Sequence, residues 1–221
     1  MAGETRVWRA LAMALLRSAL LGAALLLPST DPCWPAGWVY AAGYAAWSAL
    51  NVLLLARRSP ALLRLRETER PRAREPWDRA FVVLFQFIFG VMLVVCATRA
   101  GPARARAAAA FGALGLALGL FTWALLSNQF AAGVVVLSPG QKVAESGPYA
   151  RVRHPIYLAG AAAALCTPPA LGSSAGLLPA AVLAALIVAR TALEDRMLLR
   201  SLPGYADYAA RVPYRLLPGI W

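Results

Sequence analysis

Two stretches of this chain hold residue types that do chemistry at spacings that bring them together. Residues 147–157 read Gly-Pro-Tyr-Ala-Arg-Val-Arg-His-Pro-Ile-Tyr and contain the only histidine, His154. Gly147-Pro148 forces a turn, and Pro155 suits the first position of a helix. His154 then stands at or beside a helix N-terminus, where free backbone N–H groups and the positive end of the dipole favour anions. Arg151, Arg153 and Tyr157 flank it. Two readings stand for this stretch: a site for a carboxylate or phosphate, or the Arg and Tyr that decorate any membrane interface. The second stretch begins at Arg190. Glu194 lies four residues on, so on a helix the two share a face. Here also two readings stand. One is an intrahelical salt bridge that eases burial; the other is a site in which Glu194 binds hydroxyls or an ammonium and Arg190 faces an anionic substrate.

The elements that must position these residues are membrane helices. Of 221 residues 60% are hydrophobic, above the roughly 45–50% usual in soluble domains. Mean hydropathy is +0.60. Charge is confined between long apolar runs at residues 10–27, 37–56, 80–98 and 107–127, each near the roughly 20 residues a spanning helix needs. A fifth apolar region, 155–193, exceeds one crossing. Thr167-Pro168-Pro169 and residues 171–174 are expected to break it, so it folds back as a hairpin. The first arm, 156–166, is only about 16 Å long at about 1.5 Å per residue, which makes it re-entrant or kinked through the prolines. The fold class is therefore an all-α integral membrane protein of five to six transmembrane or re-entrant helices, the last two a helical hairpin. Residues 1–127 form four spans; 128–221 form a connecting segment, the hairpin and a polar tail.

The formal charge of +12 would suggest nucleic acid in a soluble chain. Here the basic residues sit in short loops, as in cytoplasmic loops of membrane proteins. Seven arginines in 57–77 against none in 28–36 place both termini, the 57–77 loop and 128–154 in the cytoplasm. The loop 99–106, with three arginines, then lies outside against the rule. Arg17 is expected to snorkel from the first span. Arg17 and a poor cleavage site also favour a retained first helix over a signal peptide. Cys33, Cys96 and Cys166 show neither metal spacing nor a disulfide framework; no metal site is expected. The composition reads as bacterial, with the cytoplasmic membrane the expected location.

Gly147-Pro148-Tyr149, Val152-Arg153-His154-Pro155-x-Tyr157 and Arg190-x-x-x-Glu194-Asp195, followed by Pro203-Gly204-Tyr205-x-x-Tyr208 and Val212-Pro213, resemble the isoprenylcysteine carboxyl methyltransferase family. Related phospholipid methyltransferases share the His-Pro-x-Tyr part. The resemblance covers about the last 90 residues and implies a methyltransferase that uses S-adenosylmethionine, held in a cytoplasmic pocket closed by the tail. It implies that Lys142, Val143, Gly147, Pro148 and Tyr149 line the cofactor, together with Arg153, His154, Tyr157, Glu194, Tyr205 and Tyr208. Arg190 and Glu194 are the residues it leaves for the reaction itself. The expected partner is a lipophilic or lipid-modified acceptor, entering sideways from the bilayer lipids. Two departures stand out: Ala159 replaces a frequent Gly, and the usual Glu-Glu pair is Glu194-Asp195, one methylene shorter at the second acid. Two further readings are an NADPH-dependent membrane reductase of the sterol type, for which the chain is short, and a non-catalytic membrane protein that keeps the fold.

Overall fold

The computed structural model describes the chain except residues 1, 69–75, 102–104, 134, 136, 138 and 139. Arg70, Arg72 and Arg74, on which the orientation partly rests, and part of the 99–106 loop lie outside the described residues. Among those described there are eight α-helices and no strand: α1 (Ala2–Leu26), α2 (Pro35–Arg58), α3 (Pro60–Thr68), α4 (Pro76–Thr98), α5 (Ala105–Leu126), α6 (Pro155–Ala170), α7 (Leu177–Ser201) and α8 (Tyr205–Arg211). Four of them open on a proline, whose missing N–H is no loss in a first turn and whose φ is already helical. Five have the length and apolar composition to cross a membrane: Glu4–Leu26, Pro35–Arg58, Trp77–Thr98, Ala107–Leu126 and Leu177–Ser201. The chain is thus an all-α integral membrane protein.

Three sequence expectations need correction. The prolines do not break the fifth apolar region: of the two readings of the short first arm, the one that continues through Pro168 and Pro169 holds, and its helix reaches Ala170, about 24 Å in all. The break falls at the Leu171–Gly176 turn, where Gly172 takes a left-handed φ of +75. Secondly, the arginine-rich 57–77 stretch is not all loop. It contains α3, which buries Leu62 and Leu63 against Leu55 and Leu125, while Arg64 is exposed and Arg66 donates to the Ala131 carbonyl at 2.7 Å. Thirdly, α1 begins eight residues earlier than its apolar run. Arg17 is therefore two residues from the middle of the span Glu4–Leu26, deeper than the snorkelling expected of it allows.

Helix neighbours follow a closed ring: α1 packs on α2, α2 on α5, α5 on α6, α6 on α7, α7 on α4, and α4 back on α1. The α5–α6 seam is the most extensive and α2–α5 the thinnest. Successive helices α4 and α5 are not packing partners of any extent, so the ring encloses space between them. One end of the bundle is closed by a core of Leu25, Trp34, Tyr40, Met92, Leu93, Cys96, Leu171 and Leu183. At the other end Leu55, Leu62, Leu63 and Leu125 meet Val7, Ala10 and Ile156.

The hairpin turn is tied to the α4–α5 connection by Gly101 N–H donating to the Gly172 carbonyl at 2.9 Å. Gly172 has φ +75, and a Cβ there would stand 3.0 Å from the Gly101 carbonyl oxygen. Both the left-handed backbone and the close approach exclude a side chain. Gly172→Ala is expected to cost about 1–3 kcal/mol. Gly112→Ala, at a helix position where an added Cβ meets nothing within 4 Å, is expected to hold or raise stability. Thermal unfolding of the two variants in detergent separates them; equal midpoints would contradict this account of the turn.

Candidate active site

The proline that opens α6 leaves His154 as its N-cap, with φ −126 and ψ 60. Its backbone N–H is therefore free to bond elsewhere. It donates to the Arg215 carbonyl at 2.9 Å, and the Arg153 N–H donates to the Tyr214 carbonyl at 2.9 Å. The tail thus runs alongside the entry of α6 and fixes the backbone on which the histidine stands. The imidazole does not cap the helix. Its Nε2 lies 3.2 Å from Asp195 Oδ1 and 3.3 Å from the Tyr205 hydroxyl. Since a carboxylate only accepts, Nε2 is the nitrogen assigned the proton.

Asp195 gathers the tail, α6 and α7 onto one carboxylate. Arg153 donates to it through Nε at 2.9 Å and Nη2 at 3.0 Å, Arg215 through Nε at 2.8 Å, and the Tyr205 hydroxyl at 2.9 Å. It has no solvent exposure. Arg153 Nη1 donates to the Val212 and Pro213 carbonyls, both at 2.9 Å, so every nitrogen of this guanidinium is engaged within the protein. Arg153 lines the cavity described below, but its donors point into the scaffold.

Glu194 and Asp195 are adjacent, and adjacent helical side chains point about 100° apart. They therefore do different things: Asp195 faces the tail and Glu194 faces the cavity. Nor do Arg190 and Glu194 form the direct ion pair that their spacing allows. The Tyr157 phenol stands between them, donating a short hydrogen bond to Glu194 Oε2 and accepting from Arg190 Nε at 2.9 Å. Arg190 Nη2 lies 2.9 Å from Asp78 Oδ1, and its guanidinium carbon stands 4.5 Å over the Phe81 ring. Asp78 is fully buried and its second oxygen accepts from the Val135 N–H at 3.1 Å. The Tyr157 ring also lies nearly parallel to His154, 5.7 Å away.

Around these groups the connecting segment and tail form a lid. Tyr208 donates to the Tyr149 carbonyl at 2.7 Å, and Asn128 Nδ2 donates to the Tyr149 hydroxyl at 3.3 Å. Val143 packs with Leu198 against Leu202, Tyr205, Tyr208 and Val212. Lys142 lies exposed on the cavity wall. Gly147 and Pro148 do not line the cavity. Gly147 has φ +61, and a Cβ there would stand 2.7 Å from Ser127 Oγ, so the pair forms the turn that seats Tyr149 against α5.

The cavity, of about 1400 Å³, joins this polar end to the interior of the ring. Lys142, Val143, Tyr149, Arg153, His154, Tyr157, Arg190, Glu194, Tyr205 and Tyr208 all line it. Its other walls are single apolar faces of helices, such as Phe81, Phe85, Phe89 and Leu93 on α4 and Leu114 and Leu118 on α5. Ligand pockets commonly measure about 300–1,000 Å³, so this one has room for two reactants. Asp78 and Arg215 escape sequence reasoning, and Asp195 enters it only as the second acid of the motif, with no role assigned. A further signal for Asp195 is its place at the end of an apolar run, where an acid needs a partner.

Burial, with the Asp195 carboxylate beside it, holds the Tyr205 phenol above its ordinary value; burial also raises Tyr149 and Tyr208. Their contribution to stability is present below the unfolded value of about 10 and is lost as pH climbs past it. Thermal midpoints are therefore expected to fall above about pH 10, less steeply in Tyr205→Phe. Asp195→Asn leaves Arg153 and Arg215 facing a neutral amide and is expected to cost about 3–5 kcal/mol. Unfolding of the variant at the wild-type midpoint would contradict the role given to this carboxylate.

Residues 109–200 match the family model described as the Isoprenylcysteine carboxyl methyltransferase (ICMT) family. No curated protein matches the chain. The match takes in most of α5, expected to be a generic span, and ends before Tyr205 and Tyr208. It includes His154, Tyr157, Arg190, Glu194 and Asp195. Over residues 109–200, and hence over the half of the site carried by α6 and α7, this integral membrane protein is similar to the ICMT family of methyltransferases.

Proposed function

We propose that the protein transfers a methyl group from S-adenosylmethionine to a lipophilic or amphipathic acceptor, at a cytoplasm-facing site. The observation that carries this reading is one continuous cavity whose polar end opens into an apolar channel. The polar end fits the cofactor by charge and shape. Glu194, half-buried, offers a carboxylate for an ammonium or for hydroxyls, and Lys142 offers a cation for a carboxylate. Tyr149, Tyr157, Tyr205, Tyr208 and the His154 ring offer flat faces for a heteroaromatic base. When bound, the cofactor supplies a methyl group already activated on a sulfonium.

The protein's share is then to bind, orient and exclude water. His154 is a positioning and binding residue in this reading, because its Nε2 proton is committed to Asp195. Arg190 is fixed by Asp78, Phe81 and Tyr157, while its Nη1 has no partner among the described residues and suits an anionic acceptor. A carboxylate or thiolate acceptor needs only that orientation. An amine or hydroxyl also has to lose a proton, for which Glu194 is the carboxylate at hand. The clustering of Arg6, Arg9, Arg57, Arg58 and Arg64 around the site's end of the bundle supports a cytoplasmic orientation.

Calorimetric titration of the purified protein tests this. Wild type is expected to bind S-adenosylmethionine. Glu194→Gln, at a half-exposed position outside the Asp195 cluster, is expected to weaken binding roughly 10- to 100-fold, the loss of a hydrogen bond to a charged group. His154→Ala is expected to abolish binding. A Glu194→Gln protein that bound the cofactor as wild type does would remove Glu194 from the site.

A further inference from the structure

Two charged side chains of the cavity have no task in this scheme, and one of them, Arg66, donates to the Ala131 carbonyl at 2.7 Å. The other, Arg17, lines the cavity from α1, with Leu20, Leu21 and Ala24 one and two turns further on the same face. It lies about 20 Å along the helix from Glu4 and about 14 Å from Leu26, too deep to reach either membrane surface by stretching out. Among the described residues no carboxylate pairs with it. Its titratable neighbour is Tyr44 of α2, also on the cavity wall. Trp47, one turn along α2, donates to the Leu118 carbonyl at 3.2 Å and to Thr122 Oγ1 at 3.0 Å, so the nearby polar groups of the α2–α5 seam are already used. A charge in the middle of a span is held only where something compensates it, which makes such a residue a functional group by default.

Arg17 is exposed, so the compensating group has to come from outside the fold, and the cavity that Arg17 lines is where one can bind. Val7 and Ala10 of α1 pack at the level of Leu125 and Ile156, beside the candidate active site. Arg17 is seven to ten residues deeper, or roughly 10–15 Å along the axis. A bare hydrocarbon tail in the channel would leave the guanidinium unpaired. We propose that Arg17 is a deep anchor for an oxyanion carried on an apolar chain, so that the occupant of the cavity is polar at both ends, with about 10–15 Å between them. This rests on the proposed function for the identity of the reacting end. The oxyanion belongs either to the acceptor itself or to a bound anionic lipid.

The test is direct binding in a neutral maltoside detergent with three probes: dodecanedioate, laurate and phosphatidylglycerol. If the acceptor carries the anion, wild type binds the dicarboxylate about tenfold more tightly than laurate, as a charge-assisted pair gives. Arg17→Gln then abolishes that difference and Arg17→Lys keeps most of it. If a lipid carries it, Arg17→Gln weakens phosphatidylglycerol binding by a similar factor and leaves the two fatty acids alike. Either result supports the anchor and names its source. Arg17→Gln binding all three probes as wild type does overturns it. Cofactor titration of the same proteins keeps the two readings apart. Arg17→Gln is expected to bind S-adenosylmethionine normally. Arg17-dependent anion binding by a wild type that does not bind the cofactor would sink the proposed function and leave the anchor standing. Should Arg17→Gln not be recovered folded, Arg17→Met, which keeps the apolar stem, is read in the same way.

Discussion

A carboxylate with no contact to water holds this protein's site together. Asp195 accepts from Arg153, His154, Tyr205 and Arg215, which come from the entry of α6, from α8 and from the tail. Removing a charge from water is costly unless geometry and hydrogen bonds compensate fully. Asp195 meets that condition because all its donors converge, two of them from one guanidinium whose planar fork matches the carboxylate. The shorter side chain of Asp, compared with the Glu the family resemblance would suggest, brings those donors close to α7. The lid is consequently part of the helix bundle and not a loose appendage, and the ring of His154 has one orientation.

The same constraint explains the division of labour between neighbours on α7. Because Asp195 turns toward the tail, Glu194 one residue earlier turns toward the cavity, and Arg190 one helical turn earlier shares that face. Tyr157 then serves two elements at once, linking Glu194 and Arg190 while stacking beside His154. Asp78 extends the chain of contacts to α4. Ring closure of six helices does the rest. With α4 and α5 held apart, apolar faces of both line a space continuous with the polar end.

What was legible in the sequence follows from the range of each signal. The hairpin, the placement of His154 ahead of Pro155, and the pairing of residues 147–157 with the 190–208 region were readable, because prolines, apolar runs and a motif in two parts are local patterns. The partners of those residues were not. Nothing local says that Arg153 spends its guanidinium on Asp195 and tail carbonyls, or that Tyr157 separates Arg190 from Glu194. Asp78, an acid just ahead of an apolar run, carries no local sign of its Arg190 partner. The α3 helix was hidden because arginines dominate its composition while only Leu62 and Leu63 reveal a buried face. Arg17 was misplaced because the apolar run starts later than the helix does.

The account rests on the claim that a water-soluble donor and a bilayer-soluble acceptor meet in one cavity, at the end held by Asp195. Incubating the protein in native membrane extract with S-adenosylmethionine labelled in its methyl group tests that claim most directly. The account predicts label in a product that partitions into organic solvent, and none when Glu194→Gln replaces wild type. Cofactor binding without label in any product, or label confined to water-soluble products, would contradict it.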